Sequence, residues 1–303
     1  MVDMRNTILH KSVLLQEAIE YLNVRQNHHY VDATLGGGGH TEAILQLNGP
    51  QGKVIAFELD DATMRRTRTR LTRFTSRLII MRQNFRNLTA LTRLRLPLSG
   101  ILYDLGLSTD LIKTSGRGFS FLQDEPLDMR FARTQSLDAR GVVNSLSEKD
   151  LADIIFTYGE ERFSRRIAKA IVTERKKKPI FTTLDLVRII ESAVPGRYRH
   201  GKIHCATRTF QALRIYVNDE LESLRLSLAS AIDLLKEGSR IVVISFHSLE
   251  DRIVKQYFRD LKIQKRAIVL TKKPITASAA EVSVNPNARS AKLRAIELLP
   301  YHQ

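Results

Sequence analysis

Asp32, the glycines Gly36 to Gly39, His40, Glu58 and Asp104 are the residues of this chain whose types and spacing could do chemistry. The run Asp32-Ala33-Thr34-Leu35-Gly36-Gly37-Gly38-Gly39-His40 puts four side-chain-free residues directly after an apolar stretch, so a ligand could touch the backbone itself. Glu58 follows Lys53-Val54-Ile55-Ala56-Phe57 and offers a carboxylate able to accept both hydroxyls of a ribose, although Glu58 or Asp60 could equally cap the helix that follows. Asp104 ends another apolar stretch and could accept a hydrogen bond from a reacting amine. His40 reads as a shaper of the glycine turn rather than as a base. A dinucleotide fingerprint needs G-x-G-x-x-G or a final Ala, whereas Gly36-x-Gly38 is followed by Thr41 and Gly37-x-Gly39 by Glu42. A nicotinamide-dependent oxidoreductase therefore loses ground.

The elements that must position these groups follow from the apolar runs. Strands are expected near Tyr30 to Asp32, Val54 to Glu58, Leu78 to Met81, Gly100 to Asp104 and Arg240 to Phe246, with helices between them, the pattern of a parallel, doubly wound sheet. More than a hundred residues separate the fourth strand from the fifth, too many for one crossover helix. The insert has capping-box patterns at Ser147-x-x-Asp150 and Thr182-x-x-Asp185 and a 3.6-residue apolar period through Ile154, Ile155, Ile167, Ala170 and Ile171, so it reads as all-helical. A long amphipathic helix from about Thr207 to Leu235 then returns the chain to the sheet. The expected division is 1–112 with 209–303 for the sheet domain and 113–208 for a helical substrate-recognition domain.

Composition sets the partner class. At 303 residues, 43% hydrophobic and 26% charged, the chain suits a soluble globular protein; one cysteine, Cys205, excludes an internal disulfide, and no run of apolar residues is long enough to span a bilayer. We expect a cytoplasmic protein with no metal and no membrane partner. The net charge of +16 points to a polyanion. No acidic residue lies between Asp61 and Asp104, a stretch with ten arginines, of which Arg66, Arg70, Arg73 and Arg77 recur at helical spacing and could follow a phosphate backbone. The insert adds Arg175-Lys176-Lys177-Lys178 and a cluster from Arg197 through Arg208.

An acidic residue ending a strand, three residues, then G-x-G is the first motif of S-adenosylmethionine-dependent methyltransferases, which Asp32, Gly36 and Gly38 resemble. The likeness becomes specific in His10-x-x-Val13-Leu14-Leu15, Asp104-Leu105-Gly106, Arg117-Gly118-Phe119-Ser120-Phe121, Pro126-Leu127-Asp128-Met129-Arg130, Tyr158-Gly159-Glu160-Glu161-Arg162, Ala206 to Ile215, Ser245 to Arg252 and Asn285 to Arg294. Together these blocks resemble the bacterial ribosomal RNA small subunit methyltransferase H (RsmH/MraW) family. The resemblance implies a Rossmann-like α/β methyltransferase sheet with an inserted helical subdomain, S-adenosylmethionine as cofactor, and methyl transfer to the exocyclic N4 of a cytidine in the decoding region of 16S rRNA. It also implies 16S rRNA or the 30S particle as partner, with a homodimer left open.

Carried over by position, Gly38, Gly39 and His40 would contact the methionine end of the cofactor, Glu58 the ribose, Phe85 the adenine surroundings, and Asp104 the mouth of the site, where we also assign it the catalytic role. The chain departs from the family at Glu58-Leu59-Asp60, at Phe131-Ala132, and at Ser108-Thr109-Asp110-Leu111, where Leu111 replaces a glutamine and could touch the cofactor only through apolar or backbone atoms. Phe119 and Phe121 could stack on a base or pack in a core, Arg208 could hold RNA, and His247 could line the substrate entrance, with Ser248-x-x-Asp251 as a helix capping box beside it. The competing reading is a non-catalytic RNA-binding ribosome assembly factor with a degenerate cofactor site.

Overall fold

Short runs of β-branched and aromatic residues between polar turns form the strands. The computed structural model describes residues 12–108, 111–112 and 115–300; His10, Thr109 and Asp110 of the motifs above lie outside them. The strands are β1 (His29–Asp32), β2 (Val54–Phe57), β3 (Leu78–Met81), β4 (Leu98–Asp104), β5 (Leu235–Ser245), β6 (Ala267–Val269) and β7 (Lys292–Leu298). They form one sheet of order β3-β2-β1-β4-β5-β7-β6, in which β1 to β5 are parallel and β7 is antiparallel to both β5 and β6. The strand order reverses between β1 and β4, the place where open α/β sheets hold ligands beyond their carboxyl ends. Asp32 pairs in register with Leu102, so Asp104 lies two residues further toward that end.

The expected α/β class holds, and both faces of the sheet are covered. Val31, Ile101, Tyr103, Ile241 and Val243 pack on one face with Leu224, Leu228, Val254 and Phe258, while Tyr30, Val54, Leu102, Val242 and Ile244 pack on the other with Ala18, Leu22, Ile44 and Leu45. This alternation along buried strands is why the sequence shows continuous apolar runs rather than an in-out pattern. The covering helices are α1 (Leu15–Leu22), α2 (Gly39–Leu47), α3 (Asp61–Arg70), and, after the insertion, segments at Glu220–Leu234 and Ser248–Ile263.

The chain divides into two compact units, Met1–Ser108 with Leu221–Gln303, and Thr109–Glu220. The second unit contains α4 (Ala139–Ser145), α5 (Glu148–Gly159), α6 (Ser164–Arg175), α7 (Thr183–Ala193), α8 (Gly196–Arg199) and α9 (Thr207–Asn218). Leu127, Val142, Ile155, Ile167, Ile190 and Leu213 belong to its own core. Ser147 caps α5 by accepting from Asp150 N at 3.1 Å, and Thr182 caps α7 by accepting from Asp185 N at 3.3 Å. Glu220–Leu234 is α10, Ser248–Ile263 is α11 and Ala279–Val284 is α12.

Three expectations are corrected. The long helix from Thr207 to Leu235 is two helices, because Asp219 adopts φ 49° and its N–H donates to the carbonyls of Ile215 and Tyr216, closing α9 before α10 begins. β5 starts at Leu235 rather than Arg240, and its pairing with β4 shifts between Leu98 and Gly100. The arginine stripe is not one helical face: α3 ends at Arg70, Arg70 and Arg73 both pair with Glu42, and Arg77 donates to the carbonyls of Leu45 and Gly52 and to Asn48 Oδ1.

Candidate active site

The glycine turn between β1 and α2 and the end of β4 form one cleft, lined by Thr34 to His40, Asp104, Gly106, Ser12, Phe246 and Asn287 among others. Gly36 and Gly38 take φ +47° and +75°, a region that disfavours a Cβ. A β-carbon on Gly38 would meet Thr67 Cγ2 at 2.5 Å, and one on Gly39 would meet Ser12 Oγ at 2.0 Å, whereas one on Gly37 would meet nothing within 4 Å. The glycines therefore serve two purposes. Gly38 and Gly39 admit protein neighbours to their side-chain positions, and Gly37 leaves open space. α2 starts at Gly39 with no side-chain cap, which leaves N–H groups of its first turn for an anionic group.

Three ionisable side chains are wired into this turn. Asp32, 1% exposed, accepts from Thr41 Oγ1 at 2.6 Å and from Thr34 N at 3.0 Å. Burial raises its carboxyl above the ordinary range, against the Thr41 hydroxyl and the nearby His40 charge. The His40 ring is set between acceptors, Nε2 3.1 Å from the Val13 carbonyl and Nδ1 3.4 Å from Asp104 Oδ2. Burial alone would lower its pKa; the Asp104 hydrogen bond and the charges of Asp104 and Asp32 outweigh it, so the ring holds its proton more tightly than usual. Asp104 N donates to Thr34 Oγ1 at 2.7 Å, which fixes the end of β4 to the turn after β1. The other carboxylate oxygen, Asp104 Oδ1, is buried and without a hydrogen-bond partner. A buried carboxylate oxygen left without a donor is costly, and here it lies on a residue that lines the cleft.

Glu58 supports the same loop from β2. Its Oε2 accepts from Gly36 N at 3.1 Å and its Oε1 from Leu59 N and Asp60 N, each at 2.8 Å. Burial pushes its carboxyl up to about 7, although those three N–H groups favour the ionised form. Asp60, not Glu58, caps α3, accepting from Thr63 N at 2.8 Å.

The sequence model of the MraW methylase family matches residues 7–299. The chain belongs to the MraW methylase family. It is 48% identical over 287 residues to ribosomal RNA small subunit methyltransferase H of Sulfurihydrogenibium sp. (strain YO3AOP1), covering 94% of this chain and 97% of the relative. The protein of that name from Desulfotalea psychrophila is 46% identical over 291 residues, 95% of this chain and 98% of the relative; that from Thermomicrobium roseum is 44% identical over 309 residues, with 96% and 94% covered. The methyltransferase expected from the motifs is therefore a methyltransferase by family, and the oxidoreductase and non-enzymatic readings fall.

Within this MraW methylase family member the expected site residues fall into separate groups. Gly38, Gly39, His40 and Asp104 meet in the cleft. Glu58 reaches it through Gly36, and Phe85 packs edge-to-face on Tyr103, centroids 5.9 Å apart, beside the main core. Leu111 belongs to the second unit, is 8% exposed, and its carbonyl accepts from Ser115 Oγ. Phe119 stacks on Phe131 at 5.7 Å, and Phe121 packs between Phe210 and His204, both at 4.9 Å. Arg117, next to that pair, is buried and donates to the carbonyls of Arg130 and Phe131.

His247 differs from its expected surroundings in one respect. It is itself the N-cap of α11: Nδ1 accepts from Glu250 N at 3.4 Å, and Glu250 Oε2 accepts from His247 N at 3.3 Å and Phe246 N at 2.8 Å. The capping box is thus His247 with Glu250, one residue before the expected Ser248 with Asp251. Asp251 instead accepts from Arg294 Nε at 2.6 Å and Nη2 at 3.2 Å. Ser12, Phe246 and Asn287 line the cleft without having been singled out. Asn287 and Phe246 each lie within a family-like block, and the Phe246 ring occupies the space where a β-carbon on Gly106 would strike it at 2.7 Å.

Proposed function

We propose that this chain transfers the methyl group of S-adenosylmethionine to the exocyclic N4 of a cytidine in the decoding region of 16S rRNA. The observation that carries this reading is Asp104: one carboxylate oxygen is held beside a proton-rich His40, and the other is buried, unpartnered and at the cleft. The cleft suits the donor. The open position at Gly37 and the uncapped start of α2 fit a backbone-bound amino-acid moiety, with Gly38, Gly39 and His40 at its methionine end. Glu58 is the candidate ribose acceptor, Phe85 a candidate for the adenine surroundings, and Leu111 a candidate apolar contact.

When bound, the donor supplies a methyl already activated on a sulfonium. The protein's task is then positioning, because the cytosine amine is a poor nucleophile whose lone pair is shared with the ring; alignment at about 3 to 3.5 Å contributes on the order of 7 to 11 kcal/mol at best. Asp104 Oδ1 accepts a hydrogen bond from the amine, favours the nitrogen geometry in which the lone pair points at the methyl, and receives the proton released once the N–C bond has formed. His40 orients Asp104 through Oδ2. We assign the segment Thr109–Glu220 to substrate recognition, with Arg208, Phe119 and Phe121 as its expected RNA-facing residues, and His247 of the sheet unit as a further candidate RNA contact. The substrate is the small-subunit RNA, free or within the 30S particle, and the compartment is the cytoplasm; among the described residues no helix is long and apolar enough to cross a membrane.

The test is labelled-methyl transfer to small-subunit particles followed by mass mapping of the modified nucleoside. Asp104→Ala is expected to reduce turnover by about 100-fold or more while leaving the circular-dichroism spectrum intact. Undiminished turnover would remove Asp104 from the reaction, and label on a position other than a cytidine N4 would overturn the substrate assignment. Sedimentation of the chain with particles and with protein-free rRNA reads which form it engages and whether it does so as a homodimer.

A further inference from the structure

Two blocks of the sequence are left without a task by the donor cleft: Tyr158-Gly159-Glu160-Glu161-Arg162, and Ala206-Thr207-Arg208 at the start of α9. Within the second unit they are tied together. Arg208 Nη1 donates to the Glu160 carbonyl at 2.8 Å and Gln211 Nε2 to the Tyr158 carbonyl at 3.0 Å. A β-carbon on Gly159 would lie 2.5 Å from the Arg208 carbonyl oxygen, so glycine is what lets these backbones approach so closely.

Beside this junction opens a cavity of about 470 Å³ whose walls include Arg162, Phe163, Arg197, Tyr198, Lys202 and Arg208, and no carboxylate lines it. Four permanent cations thus face two rings. The Arg162 guanidinium sits 4.8 Å from the Phe163 ring centroid and 4.9 Å from that of Tyr198, so its plane is pre-oriented by stacking. Tyr198 is pinned in turn. Its hydroxyl donates to Oε2 of Glu161, which is fully buried and whose Oε1 accepts from Phe163 N at 2.8 Å. Arg197 and Lys202 are exposed, and neither makes a hydrogen bond or ion pair among the described residues.

Four cations, two of them with side chains unpaired among the described residues, gathered in a concave site the size of a small ligand and floored by aromatic rings, fit one chemistry: a phosphodiester with a base attached. A bare acidic peptide would use the charges and leave the rings idle. A duplex would offer phosphates but keep its bases stacked on each other. We propose that this cavity grips one nucleotide of single-stranded RNA, phosphate on Arg197, Lys202 and Arg208, base against the Arg162, Phe163 and Tyr198 stack. The proposal rests on the reading of the chain as an RNA methyltransferase and shares no residue with the donor cleft.

Fluorescence anisotropy with a 5′-labelled single-stranded RNA decamer tests it on the full chain. The double variant Arg197→Ala/Lys202→Ala, at two exposed positions, is expected to bind the decamer about tenfold more weakly at 0.1 M salt, with the slope of log affinity against log salt smaller by up to about 0.7, one single-strand phosphate contact. Arg162→Lys keeps the charge and loses the stacked plane, and is expected to weaken binding about threefold or more. S-adenosylhomocysteine affinity by calorimetry should stay unchanged in both. Unchanged RNA affinity in both variants, or competition by polyglutamate as strong as that by unlabelled decamer, would overturn the proposal. If wild type grips the decamer through this cavity but transfers no methyl to small-subunit RNA or particles, the methyltransferase reading of the donor site fails and this one stands; if transfer to particles proceeds with the same KM in both variants, the reverse holds.

Discussion

Glu58 binds its proton more tightly in the folded chain than in the unfolded one, and that difference is measurable. An ordinary glutamate ionises near 4.5 and this one near 7. Below 4.5 both states are protonated, between 4.5 and 7 only the unfolded state sheds the proton, and so stability falls as pH rises through this window, by up to about 3 kcal/mol. His40 has the same sign, its folded pKa being raised, so its contribution is complete below 6.5 and is lost as pH rises through the folded value. Denaturant midpoints of the ligand-free protein should therefore decline from pH 5 to pH 8, and Glu58→Gln should flatten the part between 4.5 and 7; a decline of equal steepness in the variant would contradict the assignment. At this scale the sequence was informative where a residue acts through its own backbone or charge, as at Gly38, His40 and Asp104. It did not single out Ser12, Phe246 and Asn287, because each reaches the cleft from an element remote in sequence and, although all three fall inside family-like blocks, no spacing there points to them individually. Half the meaning of the glycine run was hidden for the same reason: Thr67 and Ser12, which occupy the space at Gly38 and Gly39, cannot be seen from the turn alone.

At the scale of elements, α11 separates a structural from a substrate-binding role for His247. As an N-cap it can be replaced by another capping side chain, so His247→Asn should retain stability and lose methyl transfer, whereas His247→Ala should in addition lose about 1 kcal/mol in stability. Transfer lost in the Asn variant with the fold retained would show that the ring faces substrate. The parallel strands β1, β2 and β4 were legible because burial on both faces keeps their centres apolar. β7 was not. Its sequence Lys292-Leu293-Arg294-Ala295-Ile296-Glu297-Leu298 intersperses charges that are paired internally, Arg294 with Asp251 and Glu297 with Arg240, and those charges mask the strand. The break at Asp219 was equally hidden, since an aspartate in the left-handed region leaves the apolar period on either side intact.

For the whole molecule, the two units each possess a core, one set around the sheet and one among α4 to α9. Unfolding followed by calorimetry should accordingly show two transitions, and S-adenosylhomocysteine should raise only the one belonging to the sheet unit, because a ligand stabilises the body that binds it; a single transition shifted as a whole would show that the units unfold as one. The net charge of +16 was legible as a call for a polyanion, but its allocation was not: Arg70, Arg73, Arg77 and Arg82 are used internally, while Arg197 and Lys202 make no such pairing. The position of β7 has a consequence in time. It is synthesised after the six other strands, yet it sits between β5 and β6 and supplies the partner for each. A chain still emerging from the peptide exit tunnel holds β6 without a neighbour and Asp251 without Arg294, so the sheet is completed only after β7 has cleared the tunnel.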